Sequence, residues 1–429
     1  MKLRSLILLF IGFACTNIED AHPGKRSTFI KIFNGISGIE GAAIELTNDG
    51  FIILGNMPVS GDSVLTVVFT TDLQGNLKQG IKYFSGGAGR SIKSLPDNQG
   101  YIIAGEKVKL NPSATSTDNI EISSSRLLHL SNNLDFIRSE YFSDQTTAAI
   151  KTDYYGEALT VTDDGKIILL GSYQTSLSEP VRPFVHLYDP LTLQPEWEQY
   201  FESIARSYRN AKSIHAINGN LIWASSVAQE QQSFNFSYLS IPRVSINSSF
   251  TNYSLYGQNN NISLKVNDIQ PASQPLFGFG VVGTYSEPDG TLANVFFARV
   301  DANGNILTNT IAFYDAVLTT ALTPVGSNQS QIQDYGTAIT ATRDGNFVLA
   351  GHFTTNSQKG NGLNDILLIK VSVNGEPIWI KTLGGTGSET VQAIRETEDG
   401  GLLICGTNIV GNVSSVFLIK TNRDGNLNM

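Results

Sequence analysis

Residues Ala338 to Gly351 read AITATRDGNFVLAG, two β-prone runs on either side of Asp344-Gly345. Asp-Gly supplies the positive φ values that a tight hairpin turn needs, so the stretch is a β-hairpin by its own chemistry. The unit returns at Ala393–Gly406 around Asp399-Gly400, at Ala43–Gly55 around Asp49-Gly50 and at Ala158–Gly171 around Asp164-Gly165. A weaker copy spans Ser91–Gly105 around Asn98-Gln99-Gly100. The most degraded are Ala211–Ser225 around Asn218-Gly219, and Val266–Gly283, where Pro271 and Pro275 stand in for the glycine turn.

A second hairpin follows each first one. Asp365–Val371 leads through Asn374-Gly375 to Trp379-Ile380-Lys381; Val295–Val300 leads to Asn303-Gly304-Asn305; Val64–Phe69 leads to Gln74-Gly75-Asn76. Four strands per unit, recurring about every 50–70 residues, predict an all-β fold, a β-propeller of seven four-stranded blades. The last copy stops three strands in, at Val416–Lys420 and Asp424-Gly425-Asn426. Phe29-Ile30-Lys31-Ile32-Phe33-Asn34-Gly35 matches the fourth strand of an earlier unit, Trp379 to Gly385. The N-terminal strand is therefore expected to complete the last blade, a 3+1 closure that removes open sheet edges. The propeller domain is assigned to residues 28–429.

Ahead of it, residues 1–15 read MKLRSLILLFIGFAC. Lys2 and Arg4 precede an uncharged run from Leu6 to Ala14, too short to span a bilayer and suited to a secretory signal. Gly12 and Ala14 before Cys15 resemble the lipobox of bacterial lipoproteins, with Gly12 where the motif usually has Leu. The resemblance implies a signal peptide over 1–14, lipid attachment at Cys15 and a flexible tether over 15–27. With the Asp-Gly-Gly, Gly-ending repeats, the chain resembles the delta-60-like propeller lipoproteins of the Bacteroidetes surface, and Glu19 and Asp20 resemble their export signal. That implies an outer-membrane location, with the lipid as the membrane contact.

The 429 residues carry 29 Lys and Arg against 38 Asp and Glu, a net charge of −9. That balance argues against nucleic acid or an anionic lipid surface as partner. Of the two cysteines, Cys405 sits in an apolar run and is expected to be a buried hydrophobe, leaving no disulfide. The chain lacks a G-x-S-x-G elbow, an H-E-x-x-H helix, a Walker loop and a C-x-x-C pair. Its histidines, His22, His129, His186, His215 and His352, are scattered without metal-ligand spacing, and structural roles are expected for those on strands. Asp301 to Asn305 and Asn422 to Asn426 look like calcium loops but lack the later bidentate acid, since position 312 is Ala; they read as hairpin turns. Asp49, Asp164, Asp344 and Asp399 occupy equivalent turns and should spread around one rim, too far apart to act as a pair.

Function is expected on the long connections at one face: 107–122, 173–182, 285–292 and 353–364, with 144–155 and 315–335 between blades. Candidate binding residues there are Lys107, Lys109, Tyr173, Arg182, Tyr285, Glu287, Asp289, His352 and Lys359. Hydroxyl, amide and aromatic groups in such loops suit a glycan or a peptide. The expectation is a monomeric, non-enzymatic binding or scaffold protein holding a glycan or protein partner, with no cofactor, no metal and no catalytic residue. The competing expectation is an enzyme acting on a polymer in the central funnel, disfavoured because the inner strands read as poor in ionisable groups.

Overall fold

The computed structural model describes residues 28–427 apart from 34–37, 60–62, 111–120, 144–151, 176–178, 202–206, 210, 230–235, 247–250, 258–262, 274–276, 288–291, 317–331 and 357–358. The signal, Cys15 and the tether thus lie outside the described residues. Among the described residues every regular element is a β-strand, and no helix is long and apolar enough to cross a membrane.

The fold is a β-propeller built from antiparallel sheets. Five sheets have four strands, and a sixth, of ten strands, joins the units around residues 207–314. The innermost strands are Glu40–Thr47, Ala88–Ser94, Asp153–Val161, Ile214–Ile217, Ser263–Pro271, Asp334–Ala341 and Ser388–Glu396. Each touches the next in that order, and Ser388–Glu396 touches Glu40–Thr47 in turn. The N-terminal strand Phe29–Ile32 pairs antiparallel with Val413–Thr421, Phe29 opposite Lys420 and Ile32 opposite Phe417. Its neighbour Phe33 sets its ring 4.8 Å from Phe69, tying the chain start to the first unit as well.

Apolar runs on consecutive residues follow from packing on both faces. Ala293–Val300 is buried at all eight positions, and Val282, Phe297 and Tyr314 of one unit pack with Ile339, Phe347 and Leu349 of the next. Cys405 is fully buried in such a layer, and burial pushes its thiol up to about 12.

The glycine ending each clear copy has a cause that the turn does not supply. Six inner strands carry a β-bulge, at Gly41/Ala43, Gly89/Ser91, Gly156/Ala158, Val266/Asp268, Gly336/Ala338 and Val391/Ala393. The bulge presses an inner-strand carbonyl onto the second strand. A Cβ on Gly351 would lie 1.7 Å from the Tyr335 oxygen, one on Gly105 1.9 Å from that of Ala88, and one on Gly406 2.0 Å from that of Thr390. Only glycine tolerates that approach. The exception fits: the fourth copy ends in Ser225, its inner strand pairs without a shift, and its second strand divides into Asn220–Trp223 and Ser225–Gln229.

The Asp-Gly acids are structural, as their repetition implied. Asp344 accepts from Thr342 Oγ1 (2.6 Å) and from Lys370 Nζ (2.5 Å) of the third strand; Asp399 is held in the same way by Thr397 and Lys420, and Asp49 by Thr47 and Lys78. Burial works against the Asp344 charge, but these bonds outweigh it and hold the carboxyl at about 2. The calcium-like loops are Asx turns: Asp301 Oδ1 accepts the Asn303 and Asn305 amides (both 2.8 Å), and Asn422 Oδ1 those of Asp424 and Asn426.

Candidate functional site: the central cavity

A bulge leaves one residue unpaired and turns it out of the ladder. Here it turns towards the ring centre, where a cavity of about 950 Å³ opens. The bulge residues, with Lys212 at the matching place in the fourth copy, are Ala42, Arg90, Glu157, Lys212, Asn267, Thr337 and Gln392, and all of them line it. Two residues earlier stand Glu40, Tyr155, Lys265 and Tyr335; three residues later stand Lys93, Thr160, His215, Gln270 and Arg395. The cavity is therefore ringed in tiers, the bulge tier with one side chain from every unit and the other two with four and five.

This corrects the expectation that the inner strands bring few ionisable groups to the centre. Each copy contributes only one or two, separated by tens of residues, so no local motif announces them. The signal was in the alignment of the copies: the column after Gly41, Gly89 and Gly156 is the variable one, and it is the column that faces the cavity.

The tiers are electrically asymmetric. Five Lys and Arg line the cavity against four acids, in a chain where acids outnumber bases. The acids are largely occupied. Glu106 pairs with Arg90 (2.6 Å). Asp268 accepts from the Ser213 hydroxyl (2.7 Å), the Ile269 amide (2.9 Å) and Gln270 Nε2 (3.2 Å) on one oxygen, and from the Ile339 amide (3.1 Å) on the other. Glu157 accepts from Ser172 Oγ (2.5 Å) and the Ala211 amide (3.0 Å), yet burial dominates and pushes its carboxyl up to about 7. Of the bases, Lys93 is 3.2 Å from Glu45. Lys212 reaches across the ring to Gln392 Oε1 (3.2 Å), and burial pulls its ammonium down to about 8. Lys265 and Arg395 have no ion-pair partner among the described residues.

Two histidines join this wall. Burial drives His215 down to about 4, so the ring is neutral, and its Nε2, 2.7 Å from the Ile269 carbonyl, carries the proton. His352 stacks on Tyr335 at 5.0 Å and is likewise held near 4 by burial. The other two strand histidines are structural. His186 is buried among Phe142, Phe184, Tyr188 and Tyr200, bonded to both tyrosine hydroxyls at 3.1 Å, and burial lowers it to about 3. His129 Nε2 meets the Gln99 carbonyl at 2.8 Å.

The loop candidates scatter by comparison. Of those whose side chains are among the described residues, only His352 lines the cavity. Tyr173 and Tyr285 are buried between sheets, packed on Tyr154 and Phe313. Lys107 lies over the Tyr141 ring at 4.8 Å, Arg182 is 3.6 Å from Glu179, and the Glu287 amide donates to Leu292. Lys109 and Lys359 are placed on strands by their backbone only. Asp289, with most of the long connections, lies outside the described residues. No three His, Cys, Asp or Glu side chains gather to hold a metal among the described residues.

No family model matches the chain, and no curated protein sequence does. Solved structures are similar to it at low identity. The β-propeller domain of the Trilobed protease from Pyrococcus furiosus is 9% identical, over 91% of this chain and 98% of that one, with a TM-score of 0.45. The Dos1 propeller is 12% identical over 88% and 81%, at 0.44. The polysaccharide lyase Uly1 is 11% identical over 90% of each chain, at 0.49.

Proposed function

We propose that this chain is a seven-bladed propeller, closed 3+1 by its first strand, that binds an anionic glycan in the central cavity. The closed order of contacts among the inner strands and the pairing of Phe29–Ile32 with Val413–Thr421 support the blade count and the closure. The observation that carries the ligand class is the reversal of charge. An acidic protein concentrates Arg90, Lys93, Lys212, Lys265 and Arg395 around one cavity and engages three of the four acids there, Glu106, Glu157 and Asp268, with its own donors. Lys265 and Arg395 are left to meet carboxylate or sulfate groups, while Tyr155, Thr160 and Gln392 bring hydroxyl and amide groups of the kind that sugars use to the same wall. Protein partners at the long-loop face remain part of the proposal, as does anchoring to an outer membrane through Cys15; Cys15→Ala should release the protein from the membrane fraction.

Calorimetry with an oligouronate and its carboxyl-reduced neutral counterpart tests the ligand class. Binding of the acidic sugar alone, weakened at least tenfold by Lys265→Ala and by Arg395→Ala, is the expected result. Equal binding of both sugars, or of neither, overturns it. One observation favours a second reading, that of an enzyme. Glu157 near 7 and Lys212 near 8 stand at adjacent positions of the same ring, as an acid–base pair would. Cleavage of an acidic polymer, lost in Glu157→Gln, would establish that reading in place of simple binding.

A further inference from the structure

Away from the cavity, the last two units meet at the turn Gly384-Gly385-Thr386-Gly387, between strands Pro377–Leu383 and Ser388–Glu396. Under this turn lie two carboxylates and an amide. Asp365, Glu389 and Asn408 are 3, 7 and 8% exposed. Asp365 Oδ2 accepts the Asn361 amide at 2.9 Å, and Glu389 Oε2 takes a long bond from the Gly385 amide at 3.4 Å. Asp365 Oδ1 and Asn408 Oδ1 are fully buried and meet no donor. Native proteins rarely leave such oxygens unsatisfied.

The three side chains come from different strands and converge on the glycine turn. From the place where a Cβ on Gly387 would stand, Asn408 Oδ1 is 2.2 Å away and Glu389 Oε1 3.1 Å, so both oxygens aim at one spot. A Cβ on Gly384 would lie 2.2 Å from Asp365 Oδ1. Side chains on the turn would fill the space these oxygens face, and the sequence keeps Gly384, Gly385 and Gly387 there. No lysine or arginine is paired with either acid among the described residues. The acids also disfavour each other: burial raises both carboxyls, and the Asp365 charge raises Glu389 further.

We propose that Asp365, Glu389 and Asn408 form a site for a hard divalent cation of the calcium class, pinning the last two units together beneath the Gly384–Gly387 turn. The donor set is oxygen only, without histidine or thiolate, which suits calcium and excludes a zinc-type site. Two carboxylates balance the cation's charge. The unsatisfied oxygens Asp365 Oδ1 and Asn408 Oδ1 gain their missing partner, and water completes the six to eight ligands calcium takes. Gly384, Gly385 and Thr386 are exposed, so the ion can enter from solvent through the turn.

Titrating calcium chloride into the full-length, EDTA-stripped protein, with melting curves in EDTA and in calcium, tests the site. One binding event and a higher Tm in calcium are expected. Asp365→Asn and Glu389→Gln should each weaken calcium binding at least thirtyfold and abolish the calcium-dependent rise in Tm. In EDTA both variants should melt no lower than the parent, because one of two opposed charges is gone. Absence of calcium binding by the parent overturns the proposal, as does undiminished binding in both variants.

Discussion

Glu157 offers a sharp test of how the cavity is built, because its carboxyl works against folding at neutral pH. Its folded pKa of about 7 lies above the ordinary 4.5. The folded state therefore holds the proton more tightly than the unfolded chain does. The resulting stabilisation is complete below pH 4.5 and is withdrawn as pH rises through 7. At about 1.4 kcal/mol for each tenfold, ionised Glu157 costs the fold about 3 kcal/mol if fully shielded. The side chain borders a cavity open to water, which screens that figure to about 1.5 kcal/mol. Glu157→Gln keeps an acceptor for the Ala211 amide and a polar partner for Ser172 while removing the charge. Urea unfolding at pH 8.5 should find the variant more stable by about 1.5 to 3 kcal/mol, and at pH 4.5 the two proteins should agree within about 0.5 kcal/mol. A difference of the same size at both pH values would refute the burial argument, since a packing change does not titrate.

Further tests address the ring. Gly351→Ala puts a methyl 1.7 Å from the Tyr335 oxygen and should cost about 3 kcal/mol or more in denaturant unfolding, whereas Gly80→Ala, with open space around its Cβ, should stay within about 0.5 kcal/mol. Deleting residues 28–35 removes the strand paired with Val413–Thr421 and the Phe33 contact on Phe69, and should replace one sharp melting transition with a broad, early one; an unchanged melt contradicts the closure. Lys370→Met unpairs Asp344, whose folded pKa near 2 lies below its unfolded value. That pair contributes above about pH 4 and fades as pH falls through 2, so the variant's deficit of about 1–2 kcal/mol at pH 7 should vanish in an acid titration.

The repeated hairpin was legible because its determinants are local. Asp-Gly turns, β-branched runs and the spacing between turns are all read along the chain, and the Thr-x-Asp triplet recurs at Asp49, Asp344 and Asp399, with a third-strand lysine, Lys370 or Lys420, on the last two. The terminal glycine was visible too, but its reason was not. It answers to a carbonyl brought in by a bulge, and a bulge is a relation between two strands that no single run of residues displays. Ser225 shows the dependence in reverse: where the glycine is absent, so is the shift in pairing.

The site was hidden for a related reason. Reading for long polar loops favoured Tyr173 and Tyr285, whose rings turned out to be inter-sheet packing, because a tyrosine at a strand end is equally suited to either place. The cavity wall is built by symmetry instead. Arg90, Glu157, Lys212, Asn267 and Gln392 are one position in five copies, so chemistry that looks sparse along the chain becomes dense where the inner strands meet around one cavity. The same logic explains how an acidic protein can line one cavity with five bases against four acids. Fold-preserving residues of the repeat, such as the turn aspartates Asp49, Asp344 and Asp399, place their negative charge at the hairpin turns, away from the cavity wall. The bulge position is outside the strand ladder, so its residue type varies from copy to copy: Glu157 and Asn267 use it to bond the next unit, at the Ala211 amide and the Gly336 carbonyl, while Arg90 and Lys212 bring charge to the cavity.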